Sequence, residues 1–141
     1  MPDAPGAYAL ILRLARDIRL DIRTLGRPVL PAGLYLYAGS AWGPGGIRAR
    51  VARHLRRGKA RVWHIDRLTE AAAVERVIAF PGGRECAIVA AATGASVPIA
   101  RFGASDCRRC EAHLLAVEPD IVDALTSIAL DKDNILTKTR I

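Results

Sequence analysis

The sequence predicts a small α+β domain: an antiparallel sheet, three-stranded or larger, flanked by helices. Three observations predict it. Apolar stretches of strand length fill the N-terminal part of the chain, separated by Gly- and Pro-bearing turns. From Ile47 onward apolar side chains recur at helical spacing. The chain has 141 residues, 51% hydrophobic and 25% charged, which suffices for one buried core and is short for two. Residues 1–141 are therefore expected to form a single domain, with 97–141 as a C-terminal extension in which the periodicity weakens.

Residues 7–14 are an apolar run, with Tyr8, Leu10 and Leu12 on one face and Ala9 and Ile11 on the other, and read as the first strand. After a turn at Arg16-Asp17, residues 18–23 alternate strictly between Ile18, Leu20, Ile22 and Arg19, Asp21, Arg23, the pattern of a strand exposed on one face. Gly26-Arg27-Pro28 and Pro31-Ala32-Gly33 then lead into a third strand over 34–38. Short connections between three short strands predict an antiparallel meander. Gly43-Pro44-Gly45-Gly46 is a loop, followed by a helix over 47–57 whose buried stripe is Ile47, Val51 and Leu55 and whose stop is Gly58. A short helix over 64–68, a strand over 74–80, a turn at Pro81-Gly82-Gly83 and a helix over 84–93 follow, with a last helix over 119–130. With aromatics at 5%, the core must come mainly from Ala, Val, Leu and Ile.

No apolar run approaches the roughly 20 residues of a membrane span, and Met1-Pro2-Asp3 does not open a secretory signal. The expected setting is cytoplasmic, with no membrane partner. Three cysteines, an odd number, argue against a disulfide framework. The net charge is +7, and 18 of the 21 basic residues are Arg, the side chain best suited to bidentate phosphate contacts. Between Trp42 and Ile65 there is no acidic residue but seven cations: Arg48, Arg50, Arg53, Arg56, Arg57, Lys59 and Arg61. On a helical wheel Arg50, His54 and Arg57 share a sector of about 60° beside the apolar stripe. A merely solvated helix usually mixes charge signs, so this segment is expected to bind phosphate.

Gly6-Ala7-Tyr8 at the start of the first strand and Tyr37-Ala38-Gly39 at the end of the third resemble the paired motifs of the GIY-YIG nucleases. The order that follows is similar too: a helix with Arg50 and His54, then His64, then Glu85 opening a later helix. The sequence particularly resembles a branch of GIY-YIG-like proteins sometimes joined to endonuclease-III-type glycosylases. The shared segments are Tyr37-Ala38-Gly39-Ser40-Ala41, Gly43-Pro44-Gly45-Gly46, Trp63-His64-Ile65-Asp66, Glu85-Cys86 and Ser105-Asp106-Cys107, within residues 6–115. There are departures. Ala7 and Ala38 replace bulkier apolar residues, the tyrosines are separated by a longer spacer, and the only asparagine is Asn134, leaving Ser105 or Asp106 for a position where many members carry Asn.

The resemblance implies an endonuclease that hydrolyses phosphodiester bonds, in DNA rather than RNA, and leaves a 5′-phosphate and a 3′-hydroxyl. It implies a Mg²⁺ or Mn²⁺ ion on Glu85, with Tyr8, Tyr37, Arg50, His54 and Glu85 as the catalytic set. It also implies association with DNA-repair proteins. The chemistry fits the residue types. A hard cation binds through one carboxylate plus waters and a phosphate oxygen, and a planar, permanently charged guanidinium suits the scissile phosphate. A tyrosine, with its ordinary pKa of about 10, needs a metal or an arginine nearby to act as a base. Either Tyr8 or Tyr37 could activate or position the water, His54 could assist proton transfer, and His64 could touch phosphate. Arg48, Arg53, Arg57, Lys59 and Arg61 are the expected nucleic-acid contacts. Each residue also has a structural reading: the tyrosines as strand aromatics like Tyr35, His64 as a helix cap, Glu85 as a first-turn residue favoured by the helix dipole.

Cys107, Cys110 and His113 stand at three-residue intervals, and Cys86 is a fourth candidate ligand for a structural Zn²⁺. Such an ion would tie the C-terminal segment to the helix bearing Glu85. The alternative is three reduced, partly buried thiols. Two non-catalytic rivals remain: a nucleic-acid-binding module using the basic helix, and a zinc-stapled adaptor domain.

Overall fold

The computed structural model describes residues 1–104, 107–129 and 131–137. Ser105 and Asp106, the candidates for the asparagine position, and Leu130, expected to end the last helix, lie outside the described residues. The first apolar run forms strand β1, Gly6–Leu14, at the centre of a five-stranded sheet. On one side β1 pairs antiparallel with β4, Gly33–Ala41, and on the other with β5, Ala73–Pro81. Short edge strands complete the order β6-β4-β1-β5-β7, with β6 at Leu114–Ala116 and β7 at Ile135–Thr137.

A central strand covered on both faces is apolar at nearly every position, which is why residues 7–12 do not alternate with polar ones. Tyr8, Leu10 and Leu12 enter one core layer beneath helices α1, Gly46–Leu55, and α2, His64–Ala71. Ala7, Ala9 and Ile11 enter the other, beneath α3, Glu85–Ala91, and α4, Pro119–Ala129. The architecture is the expected α+β class, an antiparallel sheet flanked by four helices. No helix among the described residues is long and apolar enough to cross a membrane.

The meander is corrected. Of the predicted second strand, Ile18–Arg19 (β2) is what pairs as a strand, and it does so with Val29–Leu30 (β3) in a separate two-stranded ribbon. Arg23–Leu25 is a 3-10 turn. Both sides of β1 are already taken by β4 and β5, so no position beside β1 is left for this segment. The alternation still has a cause: Leu20 and Ile22 are inserted into the helix-side core.

Helix α1 ends two residues before expected, because Arg56 turns to extended geometry. Lys59 Nζ donates to the carbonyls of His54 and Arg56, closing that end. Arg57 therefore leaves the helix, and the buried stripe becomes Ile47, Val51 and His54, with Leu55 only half-buried. The described residues of 97–113 lead into β6, held by His113 N–H to Phe102 O and Ala38 N–H to His113 O. The C-terminal part is thus woven in: β6, β7 and α4 all come from it.

Candidate active-site cavity and metal cluster

β1, β4, α1, α2, α3 and the returning C-terminal segment converge on one cavity of about 720 Å³. Tyr8 comes from β1, Tyr37 from β4, Arg50 from α1, His64 from the start of α2 and Glu85 from the start of α3, and all five line it. His54 lies beneath the wall at 2% exposure, sharing a 2.5 Å hydrogen bond between its Nε2 and the Tyr8 hydroxyl. Its Nδ1 is the buried side-chain polar atom without a partner among the described residues. Arg50 donates to the Ser40 carbonyl at 3.1 Å and lies 4.5 Å from the centre of the Trp63 ring. Gly103, left-handed at φ 69°, gives its N–H to His64 Nδ1 and leaves room for the Tyr37 ring. Glu85 is half-buried, and its carboxylate forms no hydrogen bond or ion pair with a described residue.

Burial dominates the titration of the three inner groups. Loss of solvent raises Tyr8 well above its ordinary value, Tyr37 adds to the rise, and Arg50 offsets only part of it. Burial pushes Tyr37 up to about 12, again against Arg50. Burial holds His54 down to about 3, with Asp66 opposing and Arg53, Arg50 and Lys59 reinforcing. At neutral pH both phenols carry their protons and the imidazole is neutral. Arg50 alone does not make either tyrosine a base, and His54 can serve only as a neutral partner to Tyr8.

In the cavity wall, which includes Cys107 and His113, Cys86 on α3 meets Cys107, Cys110 and His113, with all four ligand atoms within 4.8 Å of one another. Cys86 Sγ is 3.5 Å from Cys107 Sγ and 4.0 Å from His113 Nε2. A tetrahedral zinc ion with Zn–S bonds near 2.3 Å sets its sulfurs about 3.8 Å apart, so the spacing suits such an ion. The Cys110 N–H donates to Cys107 Sγ at 3.4 Å. Backbone N–H groups of Arg109 and Cys110 draw the Cys107 thiol down to about 6, favouring the thiolate a metal needs. These four residues can hold a metal such as zinc.

A family model described as a domain of unknown function, DUF123, matches residues 7–133. The chain belongs to the DUF123 family. No curated protein and no solved structure matches it.

In this DUF123 chain the expected nucleic-acid contacts are placed very differently from one another. Arg48 pairs with Asp3 and donates to the Met1 carbonyl. Arg53 forms a bidentate pair with the fully buried Asp66 at 2.8 and 2.9 Å. Arg61 pairs with Glu70, and Lys59 closes helix α1. Of these expected contacts Arg57 is exposed without such a partner among the described residues, as is its neighbour Arg56. Three cations of the seven-cation stretch, Arg48, Arg53 and Arg61, do have countercharges; they come from Asp3, Asp66, Glu70 and Asp21, outside the window in which the sequence lacks acids. Conversely, two cations not expected there line the cavity, Arg108 and Arg109. Their position between Cys107 and Cys110 was the available signal, because a loop held at both ends presents its middle residues in a fixed direction.

Proposed function

We propose that this DUF123 chain is a metal-dependent endonuclease of the GIY-YIG type, acting on DNA in preference to RNA. The observation that carries the reading is the convergence of Tyr8, Tyr37, Arg50 and Glu85 from four separate elements onto one open cavity. Tyr8 and Arg50 have internal partners in His54 and the Ser40 carbonyl, but the Glu85 carboxylate has none among the described residues. Such an unpartnered carboxylate in the wall of an open cavity fits Mg²⁺ or Mn²⁺, which keeps most of its waters and takes one or two protein oxygens. Bound there, the cation would supply positive charge to the phosphate and acidify a coordinated water.

The chain's own groups do the rest. Arg50, held by Ser40 and stacked on Trp63, presents a fixed guanidinium to neutralise the phosphate as charge develops. Tyr8 is locked by His54, so its phenol is an anchored hydrogen-bonding group. The Tyr37 hydroxyl makes no hydrogen bond to a described residue and can orient the attacking water; its high pKa makes it a proton donor in the resting site. We assign Zn²⁺ to the Cys86, Cys107, Cys110 and His113 cluster as a structural ion.

The test is Mg²⁺-dependent cleavage of duplex, single-stranded, branched and damaged DNA and of structured RNA. Cleavage by the wild type, lost in Glu85→Ala and greatly slowed in Tyr37→Phe, is the expected result. Binding without cleavage, unchanged in both variants, would overturn catalysis.

A further inference from the structure

We propose that the loop between Cys107 and Cys110 is the arm that grips the phosphodiester backbone, and that a metal in the Cys–His cluster holds this arm in place. The inference rests on the nuclease reading only for the class of ligand, a nucleic-acid backbone.

Arg108 and Arg109 are exposed, line the cavity, and form no hydrogen bond or ion pair through their side chains with a described residue. Arg48, Arg53 and Arg61, by contrast, are already neutralised by Asp3, Asp66 and Glu70. The unneutralised charge facing the cavity thus comes from Arg50 on helix α1 and from the two arginines of the loop. A backbone entering between them would meet guanidinium groups from two sides, with the Glu85 carboxylate also in the wall.

The loop has little regular structure of its own to fix those side chains. From Arg101 to His113 there is no helix or strand among the described residues. Arg101 braces it from within, donating to the carbonyls of Ala104, Cys107 and Cys110. Backbone bonds from Arg101 N–H to Glu111 O, Cys107 N–H to Ala104 O and His113 N–H to Phe102 O hold its flanks, and the cluster residues bracket the two arginines directly. A metal bonded to Cys107 and Cys110 fixes both ends of the loop. The same metal bonded to Cys86 ties the loop to α3, one residue from Glu85. The arm and the catalytic carboxylate would then be held in register by one ion.

Binding of fluorescein-labelled duplex and branched DNA, followed by anisotropy across a salt series with Ca²⁺ in place of Mg²⁺, tests the arm apart from catalysis. Each phosphate contact contributes about 0.9 to the slope of log affinity against log salt on duplex DNA. The zinc-loaded Arg108→Ala/Arg109→Ala double variant should therefore lose about 1.8 from that slope, and at least about tenfold in affinity at low salt. Its Co²⁺-substituted form should keep the absorption of a tetrahedral thiolate site, showing the cluster intact. Chelation of the wild type should produce the same loss of slope, reversed by Zn²⁺. A double variant that binds like the wild type overturns the arm while leaving the nuclease reading in place. Unchanged slope in metal-free protein overturns the role of the metal. Loss of slope in the double variant of a protein that never cleaves DNA supports the arm and sinks the nuclease reading alone.

Discussion

Gly39 stands directly opposite Tyr8 across the β1–β4 pair, and the tyrosine ring occupies the space that any side chain at position 39 would need. The glycine of the second motif and the tyrosine of the first are thus one packing unit. With the ring lying flat over Gly39, the Tyr8 hydroxyl reaches His54 on the overlying helix. Gly39→Ala should cost about 1–3 kcal/mol through overpacking. Gly43→Ala, where an added Cβ meets nothing within 4 Å, should be close to neutral. Thermal unfolding of the two variants checks the contrast.

The second expectation concerns Asp66, which is fully buried and accepts hydrogen bonds from Arg53 and from the N–H groups of Val62 and Trp63. Removing one partner of a buried ion pair leaves the other uncompensated. Asp66→Asn should destabilise the fold by about 3–5 kcal/mol, measured by urea unfolding at neutral pH. The loss should be smaller in an Arg53→Met background, because the stranded charge is then absent as well.

Acid should weaken the protein in two windows. His54 titrates near 6.5 when unfolded and near about 3 when folded, so its contribution is complete above pH 6.5 and is lost as pH falls towards 3. The slope is ~1.4 kcal/mol per pH unit within that window. Burial opposes ionisation of Asp66, but the Arg53 pair and two backbone N–H bonds outweigh it and hold the carboxyl down to about 2. Its contribution is therefore present above its ordinary 3.8 and lost as pH falls through 2. His54→Gln should remove the upper window and leave the lower one, read from urea midpoints as a function of pH.

Among the cations of the α1 region, those already paired should matter least for nucleic-acid binding. Arg48 and Arg61 are in exposed pairs, which contribute little to stability. Arg48→Ala and Arg61→Ala should change the salt slope of DNA binding little, whereas Arg50→Ala should lower it by about 0.9. Equal effects at all three positions would contradict this ordering.

Several parts of the molecule were legible from single segments. The continuous apolar run at 7–14 marks a strand, the Ile47 and Val51 spacing marks α1, and the α3 boundary falls at Arg84-Glu85. Each is a local pattern that burial writes directly into sequence. The two edge strands were not legible, because three residues are too few to show a period. Leu20 and Ile22 misled for a different reason: alternation reports which side chains are buried, and says nothing about which strand, if any, lies alongside.

The α+β class and the four candidate metal ligands were readable from residue type and local spacing, whereas the set of Tyr8, Tyr37, Arg50 and Glu85 was suggested by the resemblance to the GIY-YIG nucleases. The fold in three dimensions, by contrast, sets which cations are held in internal pairs, that Arg108 and Arg109 line the cavity, and that burial keeps both tyrosines protonated. Those properties depend on distances between residues far apart in the chain, and on how much water each group retains. Neither is encoded in any single stretch of residues.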